Sequence, residues 1–246
     1  MIVTDKFVFV HLPRTGGTFV SEVIMKFFPS ANEIGHHTPR KLLPTKYSHL
    51  PVLGMVRNPW EFYVSWYHYV LPKEAASNIV SWMSENGRLG FTESIRNLIN
   101  VSIDCQRTDV LIDLLPENID YSKRYIPTVT KDAIRRIRGT GVGYYSFRFH
   151  EMLGNVDDVF ICRTETLRQD LLAFFEKIGA ATDKLRDYVL HSDKVNAAEH
   201  LHYSTYYTPA LAGLVLLRDE PLISRFGYVF EQAPSVENKR PMPSIK

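Results

Sequence analysis

Three short apolar runs, each followed by a break and then an amphipathic stretch, organise the chain. Phe7-Val8-Phe9-Val10 is too brief for a helix and consists of strand formers, which predicts a buried strand in a parallel sheet. Thr18 to Phe28 then alternates as an amphipathic helix, with Phe19, Val23 and Phe27 on one face. The same order recurs at Pro51 to Val56, read as a second buried strand, with Arg57-Asn58-Pro59 as the break. Pro59 suits a helix start, and a strongly aromatic helix is expected from Trp60 to about Val70. The third instance is a strand at Val159-Phe160-Ile161-Cys162 and a helix from Glu165 to Ile178. Its apolar face is Leu167, Leu171, Phe174, Phe175 and Ile178, and Gly179 closes it.

Strand, loop and helix in repetition predict an α/β fold: a central parallel sheet flanked by helices in three layers. Between the second and third units, residues 72–155 read as a helical insertion forming a wall for a substrate. Helices are expected near Thr92 to Asn100, Lys131 to Arg138 and Tyr144 to Leu153. Further helices are expected at Asp183 to Leu190 and Pro209 to Phe226. The stretch 232–246 is polar with three prolines and reads as a mobile tail, leaving residues 1–231 as a single domain.

Composition narrows the function classes. The 246 residues carry a formal net charge of +2, too mild for the concentrated basic stripe of a nucleic-acid binder. No stretch has the length and apolarity of a membrane span, and the first ten residues do not read as a signal peptide, so a cytoplasmic protein is expected. Cys105 and Cys162 are far apart and neither sits in a metal-type pair, which suggests two reduced thiols and no metal site.

The chemistry concentrates at the breaks. Arg14-Thr15-Gly16-Gly17-Thr18 connects a buried strand to a helix start. Glycines there let backbone N–H groups turn toward one point, and the helix start adds free N–H groups and positive partial charge. Thr15 and Thr18 add hydroxyls and Arg14 a fixed cation, so the loop reads as an anion cradle; a plain strand-to-helix turn is the competing reading. A Walker A loop would need Lys where Gly17 stands, which disfavours ATP hydrolysis. The second break puts Arg57 at a strand's carboxyl end, where open α/β sheets place ligands, with Ser65 about two helical turns on. Arg57 can bind a phosphate bidentately and Ser65 can donate a further hydrogen bond.

With these residues in view, the chain resembles the sulfotransferases that use 3′-phosphoadenosine 5′-phosphosulfate (PAPS). Leu12-Pro13-Arg14-Thr15-Gly16-Gly17-Thr18 is similar to their 5′-phosphosulfate loop, and Val56-Arg57-Asn58-Pro59 with Ser65 and Tyr67 to their 3′-phosphate motif. Weaker likenesses are Arg163-Thr164-Glu165-Thr166-Leu167, Asn196 to Tyr207, and Phe226-Gly227-Tyr228; the resemblance says little about residues 72–155. It implies a P-loop-like fold, PAPS as donor without a metal ion, and a hydroxyl acceptor of carbohydrate or related type. It assigns Arg14, Thr15, Gly16, Gly17 and Thr18 to the 5′-phosphosulfate, and Arg57 and Ser65 to the 3′-phosphate.

One departure concerns mechanism. The family motif has Lys where this chain has Arg14, and Arg does not readily give up a proton at neutral pH. Arg14 then acts by charge alone, or another group supplies the proton. For the base that the acceptor hydroxyl needs, His37 is preferred, His36 second, with Glu33 competing. Two loop histidines without a role is the plain alternative. Glu61 fits an ion pair or a helix start. Lys194, His200 and His202 suggest a polar loop over the nucleotide, and the two histidines lack further metal ligands at useful spacing. The rings of the helix after Pro59, and Tyr144-Tyr145-Ser146-Phe147-Arg148, read mainly as core. Two other functions remain open: a non-catalytic 3′-phosphoadenosine nucleotide-binding module, and a P-loop small-molecule kinase.

Overall fold

The structure is a computed structural model, and it describes residues 1–73, 77–123, 129–193 and 200–233. Among the described residues five strands form one sheet: β1 (Ile2–Val3), β2 (Val8–Phe9), β3 (Asn32–Glu33), β4 (Val52–Val56) and β5 (Val159–Arg163), in the order β3-β1-β2-β4-β5. The half anticipated from the apolar runs, β2-β4-β5, is parallel, with Val8 opposite Val52 and Val56 opposite Arg163. The expectation of a parallel sheet throughout is corrected at the other edge, because β1 runs antiparallel to both β2 and β3. The physical cause is the short link Thr4–Phe7. Thr4 Oγ1 accepts from the Phe7 N–H and donates to the Phe7 carbonyl, closing a tight hairpin. A link that short can join only antiparallel neighbours.

Side chains alternate across β2 and β4 and divide the core in two. Val8, Val10, Val52 and Val56 face one side, under α2 (Pro59–Lys73), α4 (Phe91–Ile99) and α7 (Tyr144–Leu153). Phe7, Phe9, Leu53 and Met55 face the other, under α1 (Gly17–Phe27), α8 (Leu167–Lys177) and α9 (Asp183–His191). On that second side Phe7 meets Phe28 and Phe174 edge-on, with ring centroids 5.0 and 5.2 Å apart. Full burial of each such ring stabilises the fold by roughly 1.5–3 kcal/mol. Both cysteines are free thiols, and burial at Cys162 pushes its pKa up.

The described residues of segment 77–155 contribute many of the side chains of the first core. The segment contains α3 (Asn78–Ser84), α4, α5 (Cys105–Leu114), α6 (Lys131–Ile137) and α7. The aromatic face of α2 is its counterpart: Phe62 stacks on Tyr145 at 3.8 Å and Trp66 packs against Tyr144 at 5.8 Å, while Trp60 donates its indole N–H to the Ala212 carbonyl beyond the segment at 3.0 Å. The helix expected over 209–226 is two helices, α10 (Pro209–Arg218) and α11 (Glu220–Phe226), broken at Asp219. Pro221 supplies no N–H in the first turn of α11, so one continuous helix would lose a bond there. Among the described residues no helix is long and apolar enough to cross a membrane. Lys194, residues 196–199 of the closing segment, and residues 234–246 of the expected tail lie outside the described residues.

Candidate functional site

Because β2, β4 and β5 are parallel, their carboxyl ends open on one edge of the sheet, and each end delivers a loop that the sequence singles out. This is the edge at which open α/β sheets place ligands. The loop after β2 bends sharply through two residues with left-handed backbone, Arg14 at φ 64° and Gly16 at φ 87°. Gly16 tolerates this because it lacks Cβ, whereas Arg14 holds a conformation that costs a side-chain-bearing residue of order 1–3 kcal/mol. The Thr15 hydroxyl is buried and donates to the Leu12 carbonyl at 2.7 Å, bracing the loop from inside. Thr18 is exposed on the first turn of α1. The N–H groups of Thr15, Gly16, Gly17 and Thr18 find no acceptor among the described residues. The helix start supplies positive partial charge to the same place.

The loop after β4 is knitted to the first. Arg57 donates from Nη1 to the Arg14 carbonyl at 3.0 Å and from Nη2 to Glu61 Oε1 at 2.8 Å. Its Nε is buried and has no acceptor among the described residues. Arg14 in turn reaches α2: Nη2 and Nε donate to Ser65 Oγ at 3.0 and 3.3 Å, and the guanidinium lies 4.0 Å from the centre of the Tyr69 ring. Ser65 and Tyr69, one turn apart, form the seat for that cation. A hydroxyl has one donor and two acceptor sites, so Ser65 can accept from Arg14 and still donate.

The junction after β5 locks both. Thr164 Oγ1 donates to the Thr15 carbonyl at 2.8 Å. Glu165 accepts from the Asn58 N–H at 2.6 Å and from the Tyr228 hydroxyl at 3.2 Å, and burial raises its pKa. A cavity of about 520 Å³ opens here, with Asn58, Glu61, Glu165, His202 and Tyr228 in its wall. His200 lines it too, and no group of three or more His, Cys, Asp or Glu among the described residues could hold a metal ion.

Glu33, His36 and His37 sit together on the β3 side. His36 Nδ1 is 3.4 Å from Glu33 Oε1, and the two imidazoles are 3.9 Å apart. His37 Nδ1 donates to the His11 carbonyl at 2.9 Å, which puts the proton on Nδ1 and leaves Nε2 as an acceptor. Burial, and then the neighbouring His36, lower the His37 pKa to about 3, so the ring is neutral near pH 7.

His11 is the residue that sequence reasoning missed. Its ring stacks on Phe9, packs edge-on against His37 at 4.5 Å, and presses against Gly17. A Cβ built on Gly17 would fall 2.1 Å from His11 Cδ2, so only glycine admits this approach. Burial pushes the His11 pKa well below its ordinary value. His11 thus couples the histidine pair to the first loop. The available signal was its position, a titratable ring directly after an apolar strand and three residues before Arg14.

The fold and site together define an α/β protein whose described residues form a mixed five-strand sheet flanked by helices, with two arginine-bearing loops joined at one edge of that sheet. No protein-family model, no curated protein and no solved structure matches the chain.

Proposed function

We propose that this chain is a sulfotransferase with a P-loop-like fold. It takes PAPS across the carboxyl ends of β2, β4 and β5 and passes the sulfuryl group to a hydroxyl of a carbohydrate or related small molecule. The observation that carries this reading is the joining of two loops more than forty residues apart. Arg57 bonds to the Arg14 carbonyl, and Arg14 bonds to Ser65. Both loops bring an arginine to the carboxyl edge of the sheet, the first of them beside a helix start, which are the groups that a polyanion with phosphates at both ends would need.

The donor would supply the activated sulfuryl group and a phosphate leaving group. In this reading the N–H groups of Thr15 to Thr18 hold the 5′-phosphosulfate, while Arg57 and Ser65 hold the 3′-phosphate. Arg14 stabilises charge growing on the bridging oxygen and keeps its own proton. His37 Nε2 takes the proton from the acceptor hydroxyl as the new O–S bond forms and the old one breaks. His37 is a weak base in the free protein, and negative charge bound nearby raises its pKa toward the working range. Glu61 pairs with Arg57 in the free protein and is the negative charge with which the incoming 3′-phosphate competes for that cation.

The test separates binding from turnover. His37→Ala is expected to bind 3′-phosphoadenosine 5′-phosphate (PAP) as the wild type does, and to lose at least tenfold in acceptor-dependent release of PAP from PAPS. Turnover that survives in His37→Ala, His36→Ala and Glu33→Gln alike removes the catalytic assignment. Tight PAP binding without turnover on any hydroxyl acceptor favours the non-catalytic module, and dependence on ATP with Mg²⁺ favours the kinase.

A further inference from the structure

Arg57 is steered from its main chain as well as its side chain. Its N–H donates to the hydroxyl of Tyr145 at 2.8 Å. Tyr145 lies on α7, fully buried, its ring stacked at 14° on Phe62 of α2. The first turn of α7 is itself held. The Tyr145 N–H donates to the Tyr63 hydroxyl at 3.1 Å, and Tyr63 donates onward to Asp219 Oδ2 at 2.7 Å. The Ser146 N–H donates to Asp219 Oδ1 at 2.8 Å. Asp219, wholly buried at the break between α10 and α11, therefore anchors α7, and α7 anchors Arg57, the residue that follows β4.

We propose that Tyr145 is a positioning residue that sets selectivity for a 3′-phosphorylated nucleotide, by fixing the Arg57 peptide through its hydroxyl with Asp219 and Tyr63 behind it. The inference rests on the donor reading above. A core tyrosine needs no hydroxyl to fill its space, since phenylalanine packs the same ring. Here the hydroxyl accepts the first N–H beyond a parallel strand, at the residue whose guanidinium must meet the phosphate. Without it that N–H faces the buried ring edge with no acceptor, and the peptide turns to find one. A small rotation at the Arg57 Cα is magnified at the end of its long side chain. The loop after β2, which makes the contacts to the 5′ end, meets Arg57 at the Arg14 carbonyl but is braced separately by the Thr15 and Thr164 hydroxyls, so it holds when the Arg57 peptide turns.

The experiment is calorimetric titration of PAP and of ADP into the wild type, Tyr145→Phe and Tyr63→Phe. Tyr145→Phe is expected to weaken PAP by about tenfold, equivalent to ~1.4 kcal/mol, with ADP affinity unchanged. The PAP-to-ADP ratio then falls by the same factor. Tyr63→Phe leaves the Tyr145 hydroxyl in place but loosens α7, and should lower the ratio by a smaller factor, which decides the matter if Tyr145→Phe does not fold. A wild type that prefers PAP, with the ratio unchanged in both variants, overturns the positioning role and leaves the donor reading standing. Equal weakening of PAP and ADP also overturns it, since that marks a structural role alone. A wild type without preference for PAP overturns the donor reading, and this inference with it.

Discussion

Gly17→Ala tests the seat that joins His11 to the first loop. The added Cβ would stand 2.1 Å from His11 Cδ2 and 2.4 Å from Nε2, where real contacts do not go below about 3.0 Å. The ring has little room to retreat, because Phe9 stacks on one face and His37 packs against it at 4.5 Å. Over-packing of this kind costs roughly 1–3 kcal/mol. For a chain of this size each kcal/mol lowers Tm by roughly 2–4 °C, so a fall of between about 2 and 12 °C is expected in thermal unfolding. Helix propensity pulls the other way, since alanine inside a helix gains roughly 0.5–1 kcal/mol over glycine, and less at its first position. The clash is the larger effect. A double-mutant cycle with His11→Ala isolates it. The double variant should be less destabilised than the sum of the singles by at least ~1 kcal/mol. A neutral or stabilising Gly17→Ala, or additivity with His11→Ala, would refute the reasoning.

Two further predictions concern charge. Glu61→Gln removes the partner of Arg57 Nη2 and a negative charge beside the proposed phosphate site. It should change unfolding free energy by less than ~1 kcal/mol, as partly exposed pairs do, while tightening PAP binding in calorimetry. Burial raises the Asp219 pKa to about 6, and a value above the unfolded 3.8 means that the folded protein takes up a proton first as pH falls. The associated stability is therefore present below pH 4 and lost as pH rises through 6. Relative to Asp219→Asn, denaturant unfolding should show the wild type gaining up to ~3 kcal/mol between pH 7 and 4. A pH profile parallel to that of the variant would contradict this.

The parallel half of the sheet was legible because Phe7–Val10 and Val52–Val56 are apolar runs buried on both faces, a pattern that belongs to such strands, and Val159–Cys162 at the sheet edge, though half-buried up to Cys162, is as apolar. β1 and β3 were not, since two residues carry no period and Asn32 and Glu33 are exposed and polar. The break at Asp219 had a local signal in Pro221, but the apolar positions continue past it and mask it. At the site, residue types and their order pointed to Arg14, Arg57 and Ser65. Their mutual bonds, and those that bring Thr164, Glu165 and Tyr228 to the same edge, depend on which strand ends become neighbours. His11 escaped notice because its partners lie at Gly17 and His37, a relation set by the turn of the loop and not by spacing.

The central claim is that the edge formed by Arg14 and Arg57 selects a nucleotide with a 3′-phosphate. Calorimetric binding of PAP compared with ADP, in the wild type and in Arg57→Ala, tests it most directly. The account predicts clear preference for PAP in the wild type and its loss in the variant, with ADP affinity little changed. Equal affinity for the two nucleotides, binding of neither, or a preference that survives Arg57→Ala would contradict it.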